Sequence, residues 1–326
     1  MAIEGSRTGR PFAVLPLKNR LKPGDWVFTA LVTAAAAVIV LVIFGLFWEL
    51  TRRAWPSIRE FGLPFIWETT WDPPRETFGA GAFIVGTGIT SVVALVLATL
   101  IGVLVALFLV EIAPRRVARP VSYLVELLAA IPSVVYGLWG IFVLGTFIRD
   151  HLGPLITSTL GWIPFFDGTP LITGIFSACI ILTVMILPTV MAVSRDVIAA
   201  VPNSQREGVL ALGATRWEMI RYAVLPYARS GILGAAILGL ARAVGETLAV
   251  TLVIGNRVGI PNTIFDPAYT MASVIANQFT EVENDMHRAA LIEVALLLLV
   301  ITFFINVGAR LLVWRVTRGR RIAVVE

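Results

Sequence analysis

Arg242 and Glu246 stand four residues apart in a run, Ser230–Gly255, that is otherwise uncharged and long enough to cross a bilayer. On a continuous helix they share one face. Counted from Ala228, Arg242 lies about 21 Å along that helix, close to the middle of a hydrocarbon core of roughly 30 Å. A charge there costs about 2.5–3.5 kcal/mol on insertion scales, so such side chains turn toward a cavity or the bundle interior. A guanidinium presents a planar fork of donors that matches the oxygens of phosphate or sulfate. Glu246 would orient Arg242 and partly neutralise it, so that an oxyanion is held weakly enough to leave. Two readings are open: a polar translocation pathway, or a self-compensating pair that holds helices together. Glu126 and Glu293 fall near the ends of other apolar runs, where structural roles suit them. Pro132-Ser133 either exposes backbone groups as part of a pathway or gate, together with Glu126, or only kinks a helix for packing.

A polar stretch immediately precedes that span. Ser204-Gln205-Arg206-Glu207 and Thr215-Arg216-Trp217-Glu218 both fit a capping box, and Gly213 lies between them where a helix would stop in the left-handed conformation. The grammar predicts a short helix, a sharp turn at Gly213, and a second helix ending near Leu225-Pro226.

The elements that must position these residues are membrane helices. Of 326 residues, 57% are apolar and 14% charged, against about a quarter charged in soluble domains. Uncharged runs cover Val27–Phe47, Ala80–Val110, Leu127–Ile148 and Leu171–Ser194; Ser230–Gly255 and Ala289–Val313 complete a set of six spans. The net charge of +5 does not form a nucleic-acid patch, because the basic residues sort by loop. Eighteen fall in the N-terminus, the loops after spans two and four, and the tail, against seven in the opposite loops. That asymmetry predicts both termini in the cytoplasm. The first 26 residues are too long and polar for a signal peptide, so span one is expected to be retained. The single cysteine, Cys179, excludes an intrachain disulfide and reads as a small core residue.

The expected order is a cytoplasmic arm (1–26), a first transmembrane helix (27–50) and an extracytoplasmic segment (51–82). A helical core (83–314) with its cytoplasmic loop 203–217 follows, and a basic tail (315–326) ends the chain. Trp26 and Trp48 bracket span one as interfacial anchors. Trp67 and Trp71 are spaced for a short helix on the membrane surface, and Asp72-Pro73-Pro74 signals a turn. The outer loop 149–170 is too broken by Gly and Pro to span. Gly231, Ala235, Gly239 and Ala243 recur every four residues, a stripe that lets helix backbones approach closely.

Several chemistries have no support. There is no GxxxxGK[ST] phosphate loop, no HExxH and no GxSxG, and the two histidines, His151 and His287, sit in separate loops. No metal site is expected, and any ATP that drives transport must bind another chain.

The spacing Glu207-Gly208-Val209, Gly213, Ala223-Val224-Leu225-Pro226 resembles the cytoplasmic signature of ABC importer permeases, EAA, three residues, Gly, nine residues, I-x-L-P. Both alanines and the isoleucine depart from it. The stretches TTWDPPRETFGAGAFIVGT, LAAIPSVVYGLWGIF, ALGATRWEMIRYAVLPYARSGI and ARAVGETLAV, spread over residues 67–255, are similar to the C-type permease of phosphate-specific importers. The resemblance implies an all-α membrane protein with a MetI-like core of spans two to six in a bacterial inner membrane. It implies a second homologous permease (A-type), two ATPase subunits using ATP and Mg2+, and an extracytoplasmic phosphate-binding protein. Docking of the ATPase would fall on Glu207, Ala211, Leu212, Gly213, Ala214 and Thr215. Transport would fall on Arg242 and Glu246. A permease for sulfate or molybdate, or an ion-coupled secondary transporter using Glu246 as a proton site, are the alternatives.

Overall fold

Apolar runs form helices in a bilayer because no water is present to satisfy backbone N–H and C=O groups. The computed structural model describes residues 23–318, so most of the expected arm and tail lie outside the described residues. Among the described residues six helices are long and apolar enough to cross a membrane: Trp26–Phe61, Gly81–Ile112, Ser133–Leu160, Ile175–Ala199, Arg216–Gly245 and Asp285–Arg315. The expected six-span architecture holds, with several boundaries moved.

Helix α1 (Pro23–Phe61) runs 39 residues without a break at residue 50, with Pro56 inside it. Its portion up to Glu49 forms a unit of its own. The side chains from Trp26 to Trp48 are exposed, an apolar surface of the kind lipid covers.

The second unit begins at Leu50. After α1 come the antiparallel strands β1 (Trp71–Asp72) and β2 (Thr77–Phe78), paired Trp71 to Phe78. The Asp72 carboxylate accepts from the Arg75 N–H and fixes the expected turn. Trp67 and Trp71 do not form a surface helix. Trp71 is a strand residue buried against Phe78 and Phe83, its indole N–H donating to Gln278 Oε1 at 2.7 Å, while Trp67 is exposed. The prolines and Gly79 of this stretch favour a hairpin over a helix; a Cβ at Gly79 would meet the Glu68 carbonyl at 2.3 Å.

Helix α2 (Gly81–Leu107) ends in a π turn, Phe108–Ile112, and is followed by amphipathic α3 (Arg115–Ala129). The third span starts at Ser133, not Leu127. It comprises α4 (Ser133–Trp139), π turns Gly140–Gly145 and Ile148–Leu152, and α5 (Gly153–Leu160). The helix therefore continues through residues 149–160, where a broken loop was expected; the π turn Ile148–Leu152 directly before Gly153-Pro154 accommodates the donor that the proline lacks.

Next come α6 (Ile175–Ala199), α7 (Asn203–Ala211), and α8 (Arg216–Met219) with its π turn Ile220–Val224. They are followed by α9 (Leu225–Gly245), α10 (Leu248–Val253), α11 (Met271–Gln278) and α12 (Asp285–Arg318). The second helix of the polar stretch does not end at Leu225-Pro226. The i→i+5 turn before Pro226 absorbs the missing donor, and the helix runs on as α9.

Helix α6 is the centre, with two thirds of its most apolar window buried against α2 on one side and α9 on the other. The small-residue stripe does what its spacing predicts. A Cβ at Gly231 would meet Val197, one at Gly239 would meet Val190, and Ala235 is fully enclosed. Gly86 of α2 is tighter still, since a Cβ there would lie 2.0 Å from the Tyr269 carbonyl oxygen. Cys179 is buried in this core. Buried Glu293 of α12 accepts a 2.6 Å hydrogen bond from Ser57 of α1, the structural role expected of it. His287, expected in a loop, is buried and stacks on Phe78.

In the loop before α11, burial raises the pKa of the Asp266 carboxyl. Hydrogen bonds from the Thr263 and Asn262 N–H groups and the Thr263 hydroxyl, with the Arg257 charge, outweigh this and hold it below the usual carboxylate value.

Candidate translocation site and coupling helices

The run carrying Arg242 and Glu246 is not one helix. Helix α9 stops at Gly245, Glu246 takes an extended conformation as its C-cap (φ −71°, ψ 127°), and α10 begins at Leu248. The shared face expected for the pair is lost at this break, and among the described residues Arg242 and Glu246 form no ion pair with each other. The signal legible in sequence is Gly245, the last residue of α9, where backbone freedom makes the helix costlier to continue. Broken backbone at membrane depth persists only where protein buries it or a water-filled cavity lines it.

Arg242 instead donates from Nη1 to the Thr189 hydroxyl of α6 at 3.3 Å and is otherwise exposed. Thr189 is in the middle of α6, so the guanidinium sits at mid-height of the central helix. Its position in the last turn of α9 is favourable, because the unpaired carbonyls there carry partial negative charge. Helix α4 contributes the Tyr136 hydroxyl. That hydroxyl donates to the Leu128 carbonyl at 2.7 Å, bridging the gap between α3 and α4. Thr189 and Tyr136 were not singled out in the sequence. The Pro188-Thr189 pair in an apolar run was the available signal.

Pro132 is exposed and N-caps α4; it does not kink a continuous span. Ser133 is the first residue of α4, one turn from Tyr136. The carbonyls at the end of α3 are satisfied there by local turns and by Tyr136 rather than by a helix running on. Glu126 lies on α3 and accepts from Arg195 of α6 at 3.1 Å. It ties two helices together.

The second site is the connection from α7 to α8. The Thr215 capping box forms: Thr215 Oγ1 accepts from the Glu218 N–H at 3.3 Å, and the Glu218 carboxylate accepts from the Thr215 N–H at 2.7 Å. Gly213 has φ +84°, the left-handed turn expected. The first capping box does not form, because Pro202 takes the N-cap position and its side chain offers no acceptor. Glu207, Ala211, Leu212, Gly213 and Thr215 are exposed and Ala214 is half-buried; Leu212 is 88% exposed, an apolar tip at the turn.

Arg206, expected in a cap and among the basic residues of this loop, is the anchor of α7. It pairs with Glu111 of the α2 π turn at 2.9 Å and donates to the Ile198 carbonyl at 2.8 Å and to the Val201 carbonyl. Its side chain is 14% exposed and that of Glu111 6%. No group of three or more His, Cys, Asp or Glu side chains comes together among the described residues.

Comparison with known proteins identifies the family. Residues 98–318 match the family "Binding-protein-dependent transport system inner membrane component". The chain is similar to the phosphate transport system permease protein PstC of Haemophilus influenzae, 41% identical over 88% of this chain and 93% of that one. PstC of Mesorhizobium japonicum is 41% identical over 90% of each chain, and PstC 2 of Mycobacterium tuberculosis 42% over 88% of this chain and 91% of that one. The permease fold recurs in an inward-facing MetNI methionine ABC transporter, with a TM-score of 0.53 at 20% identity over 76% of this chain and 99% of that one. The chain belongs to the binding-protein-dependent transport system inner membrane components, within the PstC group of ABC transporter permeases.

Proposed function

We infer that this chain is a transmembrane permease subunit of an ATP-driven importer of inorganic phosphate. The observation that carries the reading is an exposed guanidinium at mid-height of the bundle, beside a helix break, in a chain about 41% identical to phosphate permeases over nearly its whole length. The charge asymmetry of the loops supports both termini in the cytoplasm, which puts α7, Gly213 and α8 on the cytoplasmic side. Phosphate, delivered by an extracytoplasmic binding protein, crosses between this chain and a second, A-type permease and passes Arg242. Two ATPase subunits bind ATP and Mg2+ and dock on residues 207–215; the permease itself binds no cofactor. Glu246, freed from pairing by the break, lines the same passage.

Uptake of radiolabelled phosphate by proteoliposomes containing the complete complex and its binding protein tests this. Uptake that needs ATP and resists excess sulfate or molybdate is expected. Suppression by either oxyanion reassigns the substrate, and uptake by the permeases without the ATPase overturns the importer reading.

A further inference from the structure

Helix α7 has no buried residue of its own, and its apolar contact with the bundle is the half-buried Val209. Yet an ATPase docked on residues 207–215 drives the membrane helices through it. The polar grip it has is Arg206. The guanidinium bridges three parts of the chain: α7 itself through Asn203 Oδ1 at 3.2 Å, the last turn of α6 and the residues just after it through the Ile198 and Val201 carbonyls, and the end of α2 through both Nε and Nη2 on Glu111 Oε1, at 3.1 and 2.9 Å. Val201 is itself buried and Ile198 fully so, so these contacts are sheltered from water. Helix α2 in turn packs along α6, and α6 carries Thr189, the acceptor of Arg242.

We propose that the Arg206–Glu111 pair is the positioning link that converts movement of α7 into movement of α2 and α6. The proposal rests on the importer reading. Three features suit the pair to this task. A guanidinium fork held by a carboxylate and two carbonyls is directional, so α7 cannot slide or turn without carrying the partners. The carboxylate belongs to a π turn, whose extra residue lets the end of α2 shift without unravelling the helix above it. The Ile198 carbonyl lies in the last turn of α6 and follows that helix as a rigid body, while the Val201 carbonyl lies two residues beyond its end. Apolar contact of Val209 alone would permit slippage.

The test uses the complete complex in proteoliposomes and measures phosphate moved per ATP hydrolysed for Arg206→Ala, Arg206→Lys, Glu111→Gln and the Arg206→Ala/Glu111→Gln double variant. The expected result is a transport-to-hydrolysis ratio lowered about tenfold in Arg206→Ala and Glu111→Gln, with co-purification of the ATPase kept and partial recovery in Arg206→Lys. The double variant should be no worse than Arg206→Ala, as for two ends of one link. An unchanged ratio, or uptake and hydrolysis falling in proportion, overturns the proposal; so does additive loss in the double variant. If the unmodified complex moves a different oxyanion, the phosphate reading fails while the ratio measured with that anion still decides the role of the pair.

Discussion

The Arg242 guanidinium reaches across to the Thr189 hydroxyl of α6 at 3.3 Å and forms no ion pair with Glu246, four residues further along its own chain. One neutral acceptor leaves most of its donors free. A bidentate carboxylate would take two of its five donors and offset its charge, so the helix break at Gly245 leaves this guanidinium a stronger partner for an anion.

Arg242→Ala is expected to lower phosphate uptake by more than a hundredfold while the complex still assembles, measured by uptake and co-purification. Arg242→Lys, with the charge but not the fork, should retain a small part. Loss of assembly in Arg242→Ala would mark the residue as structural.

At Gly213 a Cβ would find open space, so any cost of substitution is backbone strain at φ +84°. Gly213→Val should cost about 1–2 kcal/mol in the turn. The consequence is a five- to thirtyfold weaker hold on the ATPase, read by titrating the purified ATPase subunit onto the permeases.

Glu207 and Leu212 present one charge and one apolar tip on the exposed side of α7 and its turn. Glu207→Arg and Leu212→Asp should each loosen ATPase association with no loss of permease stability. Unchanged co-purification in both would move the docking surface elsewhere.

Ser57→Ala removes the donor to buried Glu293 and leaves a carboxyl group without its partner, at about 1–3 kcal/mol. The thermal unfolding midpoint in detergent should fall, and Glu293→Gln, which keeps an acceptor for the serine, should fall less.

The Asp266 carboxyl has a lower pKa folded than unfolded, so its contribution is present above the unfolded value of about 3.9 and is lost as pH falls through the folded one. Asp266→Asn should therefore flatten the acid limb of the stability profile and leave neutral uptake unchanged.

Much of this architecture is legible in the chain because a bilayer imposes one strong rule on apolar runs. The spans, the stripe from Gly231 to Ala243, the Gly213 turn and the Thr215 cap all follow from local spacing. Local spacing did not reveal which interruption ends a helix. Pro226 looked like a stop and is bypassed by a π turn, whereas Gly245-Glu246, hidden in a continuous apolar run, breaks the helix outright. Trp67 and Trp71 had helical spacing, but hairpin pairing to Phe78 overrode it. Thr189, Glu111 and Arg206 acquire meaning only through contacts that span 53 and 95 positions in sequence, and no local pattern encodes those.

The π turns at 108–112, 140–145, 148–152 and 220–224 lie within the helices that flank both sites. Each holds one residue more than an α turn, which amounts to a stored rotation of about 100°. Passing that surplus one turn along a helix would swing the intervening side chains to a new face while the segments beyond keep their axial grip. A bundle supplied in this way can revolve its lining without lengthening, tilting or melting any span.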